Sequence, residues 1–123
     1  MNMPFGRPAP AEIIAPADAV AKVKNKEAII IDVRDINELM SSGTAKDALH
    51  IPLMMFQVKA DPRHPEFHPE LNTDTPVIVY CAPGARSGMA AQMLAANGFS
   101  EVYNLGGLMH WHQGGGEIVR AQS

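Results

Sequence analysis

Residues 77–88 read Val77-Ile78-Val79-Tyr80-Cys81-Ala82-Pro83-Gly84-Ala85-Arg86-Ser87-Gly88 and contain the single cysteine of the chain. The continuous apolar run before Cys81 is typical of a parallel strand that is covered on both faces. Pro83 and Gly84 predict a tight loop, and residues 86–96 have the apolar spacing of a helix that ends at Asn97-Gly98. Cys81 is therefore expected where a buried strand runs into a helix N-terminus.

The same alternation of strand and helix signals recurs along the chain. A second apolar run over 28–32 predicts another buried strand, and helix starts are expected at Pro16 and Asp35. Shorter strands are expected over 12–14, 49–52 and 102–104, a short helix around 55–58 and a last helix over 108–113. Strands that alternate with helices predict an α/β fold with a parallel sheet.

Composition limits the classes of protein to which the chain can belong. Its 123 residues are 46% hydrophobic and 19% charged, which is typical of one globular domain. We expect a flexible arm over residues 1–11, one domain over 12–118 and a polar tail over 119–123.

The net charge of −3 gives no reason to expect a nucleic acid or an anionic membrane as a partner. A single cysteine excludes an internal disulfide and fits a reducing compartment, so we expect a cytoplasmic protein with no cofactor or metal.

The position of Cys81 predicts a reactive thiolate. Unpaired backbone N–H groups and the positive end of the helix dipole both favour an anion at this place. The N–H groups of the loop form the candidate anion-binding cradle, in which Gly84 permits a close backbone approach and Pro83, without an N–H, stiffens the loop. Arg86 adds a permanent positive charge. The candidate substrate-binding residues are Ala82, Pro83, Gly84, Ala85, Arg86 and Ser87.

Asp32 and Arg34 are candidates for a supporting role around the cysteine. Asp32 ends the second buried strand, and Arg34 follows shortly after it. Because the ligand-binding loops of a parallel sheet lie at the carboxyl ends of its strands, Asp32, Arg34 and Cys81 are expected at one rim. A structural pair is the favoured interpretation over a direct catalytic role, since an aspartate at the end of a strand often caps the following turn.

Three ordered motifs resemble those of the rhodanese family of sulfurtransferases. The loop from Cys81 to Arg86, with Ser87 after it, resembles the C-x-x-G-x-R loop of single-domain members. Residues 30–34 are similar to the family's strand that ends in D-V-R, and Glu38 lies where a glutamate is usual. Residues 102–107 together with Trp111 are similar to its V-x-N-L-x-G-G-x-x-x-W signature.

The segment from Gly43 to Pro52 departs from the family's pattern. Thr44, Asp47 and His50 stand where histidine, glycine and asparagine are common. These departures affect a turn outside the reactive loop.

The resemblance implies both a fold and a reaction. The implied fold is the rhodanese-like three-layer α/β fold, a central parallel sheet of about five strands with helices on both faces. The implied reaction is sulfur transfer, in which Cys81 takes a sulfane sulfur from thiosulfate or a persulfide and passes it to cyanide or a thiol. Glutathione, thioredoxin and other protein thiols are the acceptors that this chemistry implies besides cyanide.

Other interpretations of the same residues remain. The chain fits a sulfur-relay module that acts with a protein partner and turns over little small-molecule substrate. It fits an inactive regulatory domain less well, because Cys81 and Arg86 are both present. A phosphatase is disfavoured, since four residues separate Cys81 from Arg86 where cysteine phosphatases have five.

Four side chains also have plain structural interpretations. A lone cysteine is often an inert core residue, and Ser87 is a common residue at a helix start. His64 and His68 have the spacing of a helical metal pair, but Pro65 and Pro69 make a solvated loop the better interpretation.

Overall fold

A central parallel sheet is packed between helices on both of its faces. The computed structural model describes residues 12–81 and 85–120. In chain order, its elements are β1 (Glu12–Ile13), α1 (Pro16–Lys24), β2 (Ile29–Asp32), α2 (Ile36–Ser42), β3 (Thr44–Ala45), β4 (Leu49–His50), a 3-10 turn (Leu53–Met55), α3 (Phe56–Lys59), β5 (Val77–Cys81), α4 (Ala85–Ala96), β6 (Val102–Gly107), α5 (Leu108–Gln113) and β7 (Ile118–Val119).

Five of these strands form the central sheet in the order β1-β6-β5-β2-β4, and all their pairings are parallel. β5 is central and all of its residues are buried, as its continuous apolar run predicts. Asp32 at the end of β2 pairs in register with Tyr80 of β5. The carboxyl ends of β2 and β5 therefore meet at one rim, where Cys81 is the last residue of β5.

The two faces of the sheet carry separate hydrophobic clusters. One cluster joins α3 and α4 to the sheet, and the other joins α1 and α5 to it. Because successive side chains of a strand point to opposite faces, β5 contributes to both clusters in turn. Val77, Val79 and Cys81 belong to the first cluster, whereas Ile78 and Tyr80 belong to the second. The three-layer α/β architecture is confirmed.

The glycine run after α5 is needed for close packing as well as for ending the helix. A Cβ atom at Gly116 would lie 2.3 Å from Cε2 of Trp111, and one at Gly114 would lie 2.4 Å from the backbone of Pro16. Trp111 is 2% exposed, and its Nε1 donates a 2.7 Å hydrogen bond to the Glu117 carbonyl. Trp111 is thus the core residue that the sequence indicates. The missing side chain of Gly116 lets the backbone pack against the Trp111 ring, and that of Gly114 lets the start of α1 pack against the end of α5.

Two details differ from the sequence expectations. Met89 has the spacing of a core residue in α4, but 56% of its surface is exposed because α4 turns this position to solvent. β3 and β7 form a small antiparallel sheet, in which Thr44 pairs with Val119 and Ala45 with Ile118. This pairing joins two segments that are distant in the sequence, so the residues of neither segment indicate it by themselves.

The segment after α3 contains two similar His-Pro-Glu turns. Nδ1 of His64 accepts the backbone N–H of Glu66 at 3.0 Å, and Nδ1 of His68 accepts that of Glu70 at 3.1 Å. Each neutral imidazole therefore carries its proton on Nε2. Within residues 12–81 and 85–120, no group of three or more histidine, cysteine, aspartate or glutamate side chains is arranged to hold a metal ion.

The longest helix of the described residues is α4, with 12 residues. No helix in this part of the chain is long and apolar enough to cross a bilayer.

Candidate active site

Cys81 lies at the carboxyl end of β5, directly before the connection to α4. The backbone N–H of Ser87 donates to its Sγ at 3.4 Å, and Sγ lies 3.5 Å from the Ser87 hydroxyl oxygen. Ser87 is in the first turn of α4, where backbone N–H groups have no partner within the helix. The start of α4 therefore directs a donor at the sulfur, as expected for a site that stabilises an anion.

Cys81 is fully buried and belongs to the apolar cluster between the sheet and α4. Burial alone would fit an inert core cysteine. The hydrogen bonds with Ser87 distinguish Cys81 from such a residue. Ala82, Pro83 and Gly84 lie outside the described residues, so the cradle of loop amides predicted from the sequence stays a prediction.

Ser87 is held in turn by Asn104 of β6. Its hydroxyl donates a 2.8 Å hydrogen bond to Oδ1 of Asn104, and the same oxygen accepts the backbone N–H of Gly106 at 3.0 Å. Because a backbone N–H can only donate, this pair of contacts identifies Oδ1 as the acceptor. Asn104 thereby connects the start of α4 to the neighbouring strand.

Arg86 forms a two-point ion pair with Glu38 of α2. Its two terminal nitrogens lie 2.6 Å and 2.8 Å from the two carboxylate oxygens. The side chains are 30% and 34% exposed, so the pair lies at the surface of the rim. The hydrogen bond from Arg86 is the main cause that lowers the pKa of Glu38 to about 2. The pKa of Arg86 is raised, mainly by its hydrogen bonds to Glu38.

Asp32 and Arg34 form a buried network on the same rim. The guanidinium of Arg34 donates to both oxygens of Asp32, at 2.8 Å in the shortest contact, and Tyr80 donates to Asp32 at 2.6 Å. Burial opposes the ionisation of Asp32, but the hydrogen bonds from Arg34 and Tyr80 leave its pKa below the ordinary value. Burial and the charge of Asp32 raise the pKa of Tyr80, so its hydroxyl remains a donor.

The remaining donors of Arg34 connect this network to the end of α2. They reach the Ser42 hydroxyl at 2.8 Å and the Gly43 carbonyl at 2.6 Å. Tyr80 belongs to the α1/α5 face of the sheet, whereas Cys81 belongs to the α3/α4 face. Among the described contacts, Asp32 and Arg34 therefore support the strand that carries Cys81 and do not approach its sulfur directly.

Comparison with known proteins identifies the family. A family model for the rhodanese-like domain matches residues 15–114. The chain belongs to the rhodanese family.

Known proteins that are similar to this rhodanese domain include the following two relatives and one solved structure. The uncharacterized protein YqhL of Bacillus subtilis is 40% identical over 94 residues, which cover 76% of this chain and 65% of that protein. The thiosulfate sulfurtransferase GlpE of Coxiella burnetii is 34% identical over 99 residues, which cover 80% of this chain and 84% of GlpE. The structure of RPA3614 from Rhodopseudomonas palustris, a protein of unknown function named as a possible tyrosine phosphatase, aligns with a TM-score of 0.78. It is 30% identical, and the alignment covers 89% of this chain and 85% of that chain.

The unusual residues between β2 and the 3-10 turn are accommodated in this rhodanese domain. Thr44 donates a 2.9 Å hydrogen bond to Asp32 and lies 2.9 Å from the Tyr80 hydroxyl. Asp47 adopts a φ of +70°, a region that favours glycine and that aspartate tolerates better than most residues. Nε2 of His50 lies 2.7 Å from the Arg34 carbonyl oxygen. Each departure is therefore compatible with the observed conformation of this segment.

Sequence reasoning did not select three residues of the site. Glu38 and Asn104 both fall on positions of the family-like motifs, which was the available signal. Tyr80 carried no signal beyond its place in an apolar run, because its hydroxyl partners lie on other elements.

Proposed function

We propose that this rhodanese domain moves a sulfane sulfur from thiosulfate or a persulfide donor to a thiophilic acceptor through a persulfide on Cys81. The main support is the hydrogen bond from the Ser87 N–H to the Cys81 sulfur at the start of α4. The similarity to a protein named thiosulfate sulfurtransferase supports the same chemistry.

The proposed reaction has two displacements at one sulfur atom. In the first, the Cys81 thiolate attacks the outer sulfur of thiosulfate, a new S–S bond forms, and sulfite leaves with the electron pair of the old bond. In the second, cyanide or a thiolate attacks the outer sulfur of the persulfide, and the Cys81 thiolate leaves. The products are thiocyanate or an acceptor persulfide, and two half-reactions of this kind give ping-pong kinetics.

The residues around Cys81 have distinct parts in this scheme. The Ser87 N–H is positioned to stabilise the thiolate that attacks and leaves. We further propose that the amides of Ala82, Gly84, Ala85 and Arg86 hold the outer sulfur of the persulfide, with Pro83 stiffening the loop. Asp32 and Arg34 act through the hydrogen bonds that join the end of β2 to Tyr80 of β5, and among the described residues they make no contact with the sulfur. No metal or cofactor is needed for either displacement.

The test is the intact mass of the reduced protein after incubation with a donor and removal of the excess. We expect a gain of one sulfur atom on Cys81, which cyanide or a thiol then removes. The Cys81→Ser variant should gain nothing, and the Ser100→Ala variant, which changes an exposed serine far from Cys81 in sequence, should behave as the native chain. If neither thiosulfate nor a small organic persulfide adds sulfur to the native chain, small-molecule turnover is excluded.

The alternative is a sulfur relay that works with a protein partner. Sulfur gained from a protein persulfide, but not from thiosulfate or a small persulfide, would favour the relay over the enzyme. Thioredoxin and glutathione are the thiol acceptors to compare in the second half-reaction. The single thiol also suits the cytoplasm, which we propose as the location.

Phosphatase activity is not proposed, although one structural neighbour is named as a possible tyrosine phosphatase. Four residues separate Cys81 from Arg86, and a ring of amides of this size suits one sulfur atom better than a phosphate group. An aryl phosphate should therefore not be hydrolysed, and Cys81-dependent hydrolysis of it would contradict this assignment.

A further inference from the structure

The charges at the mouth of the site suggest a preference among sulfur donors, and this inference rests on the proposed function. Arg86 precedes Ser87, whose N–H contacts Sγ of Cys81. An unpaired guanidinium at this position would attract an anionic donor, and thiosulfate carries two negative charges. In this structure the guanidinium is instead paired with a carboxylate at both of its terminal nitrogens.

Glu38 is fixed in this position by a second contact. Its Oε1 also accepts the backbone N–H of Asp35 at 3.1 Å, which anchors the carboxylate to the start of α2. Glu38 is ionised at neutral pH because its pKa is about 2. The carboxylate is therefore a permanent negative charge that cannot move away without breaking hydrogen bonds at both ends.

The second arginine of this rim is neutralised in the same way. Arg34 is 3% exposed and donates to Asp32, which has no exposed surface. Among the described residues, both guanidinium groups beside the carboxyl ends of β2 and β5 are thus paired with carboxylates. Residues 82–84 add no charge, since they are Ala82, Pro83 and Gly84.

We propose that Glu38 determines the donor preference of this site: by occupying Arg86, it disfavours dianionic donors such as thiosulfate and favours organic persulfides of lower charge. Glu38 acts here as a positioning residue, because it works through the guanidinium of Arg86. Its effect is electrostatic, so it should depend on donor charge and on ionic strength.

The Glu38→Gln variant removes the charge with little change in shape. Glutamine also occurs at this position of a capping box, so it can keep the hydrogen bond from the Asp35 N–H. Asp35→Asn is the matched control: Asp35 makes no ion pair with Arg86 among the described residues and acts on it only through its charge, and asparagine caps a helix as well as aspartate does. Thermal unfolding of each variant verifies that it is folded.

The first test uses alkylation of Cys81 and does not require sulfur transfer. Iodoacetate and iodoacetamide are similar in size, but only iodoacetate is charged. We expect Glu38→Gln to raise the iodoacetate-to-iodoacetamide rate ratio about threefold at low salt, as the removal of one nearby charge predicts. High salt should reduce this change, and Asp35→Asn should give a smaller one.

The second test compares two donors that transfer the same kind of sulfur. Thiosulfate is a dianion, and methanethiosulfonate is a monoanion. Glu38→Gln should raise kcat/KM for thiosulfate about fivefold, through a lower KM, and should raise that for methanethiosulfonate about twofold.

The outcomes separate this inference from the proposed function. An unchanged or lower alkylation ratio in Glu38→Gln, or an equal change with both donors, would overturn the role of Glu38 even if sulfur transfer occurs. A raised alkylation ratio without any sulfur transfer would support the electrostatic role of Glu38 and reject the proposed reaction. A Cys81 that reacts with neither alkylating reagent would contradict both proposals.

Discussion

The Ser87 hydroxyl donates to Oδ1 of Asn104 across 2.8 Å, and this bond joins the first turn of α4 to β6. The two residues are 17 positions apart in sequence. Oδ1 of Asn104 also accepts the backbone N–H of Gly106, so both of its described hydrogen bonds come from within the protein. The position of the Ser87 N–H relative to the Cys81 sulfur therefore depends on Asn104. In the described contacts, the Asn104 side chain does not touch the sulfur itself.

Asn104→Ala should slow sulfur loading of Cys81 by about tenfold, because a small displacement of Ser87 misaligns the donor at the sulfur. It should also lower the free energy of unfolding by about 1–3 kcal/mol, since two donors lose their acceptor. Asn97→Ala is the matched control: its Nδ2 donates to the Ala60 carbonyl at 3.1 Å, at the far end of α4. This control should lose stability without slowing sulfur loading. Equal loading rates in the two variants would show that Asn104 does not position Ser87.

Tyr80→Phe should destabilise the fold by about 2 kcal/mol, because two buried groups lose a hydrogen-bond partner. The Tyr80 hydroxyl donates to Asp32 and accepts the Ala45 backbone N–H at 2.9 Å. Urea unfolding of this variant is compared with that of Tyr103→Phe. The Tyr103 hydroxyl donates a hydrogen bond to the exposed Glu101 carboxylate, so Tyr103→Phe should lower the free energy of unfolding by less than about 0.5 kcal/mol. Similar losses in both variants would contradict a special role for the buried network.

The ion pair of Glu38 should make stability depend on acid pH. Its pKa in the folded protein is lowered from 4.5 to about 2 by Arg86, so folding favours the ionised form. The stabilisation is complete above pH 4.5 and is lost as the pH falls toward 2. Glu38→Gln should therefore lose less stability than the native chain over this interval, measured by urea unfolding at each pH. Glu27→Gln, at an exposed position, controls for the removal of a carboxylate. If Glu27→Gln and Glu38→Gln show the same dependence of stability on pH, the acid sensitivity does not come from the Glu38–Arg86 ion pair.

Two glycine-to-alanine changes should have opposite effects. Gly116→Ala would place a Cβ atom 2.3 Å from the buried Trp111 ring and should cost more than about 2 kcal/mol. At Gly88, within α4, the nearest atom to a new Cβ is Nδ2 of Asn104 at 3.8 Å, an ordinary contact. Gly88→Ala should therefore stabilise the protein by about 0.5–1 kcal/mol, because alanine has the higher helix propensity. Thermal melts of the two variants check the signs, and a destabilised Gly88→Ala would indicate that α4 needs this glycine for another reason.

Prediction from the sequence succeeded where the signal lies within one element. The apolar run of β5 predicts a buried central strand, and the structure buries all five of its residues. The last helix begins and ends where its residues predict, at Leu108 and Gln113. Prediction missed the exposed face of α4 at Met89 and the two-residue strands β3 and β7. Their state depends on what packs against them, which short patterns do not contain.

The candidate site divides in the same way. Cys81 before a helix start, with Arg86 and Ser87 after the loop, follows from the order of residues along the chain. The partner of Arg86 does not, because Glu38 lies 48 residues away on another helix.

The amino-acid sequence by itself determined the alternation of strands and helices and the place of the thiol at the end of a buried strand. Propensity and periodicity act over a few neighbouring residues, so these features can be identified locally. Only the tertiary structure decided that Glu38 pairs with Arg86, that Asn104 holds Ser87 and that Tyr80 completes the network of Asp32. A hydrogen bond requires its two atoms within about 3 Å, and that distance is set by how whole elements pack against one another.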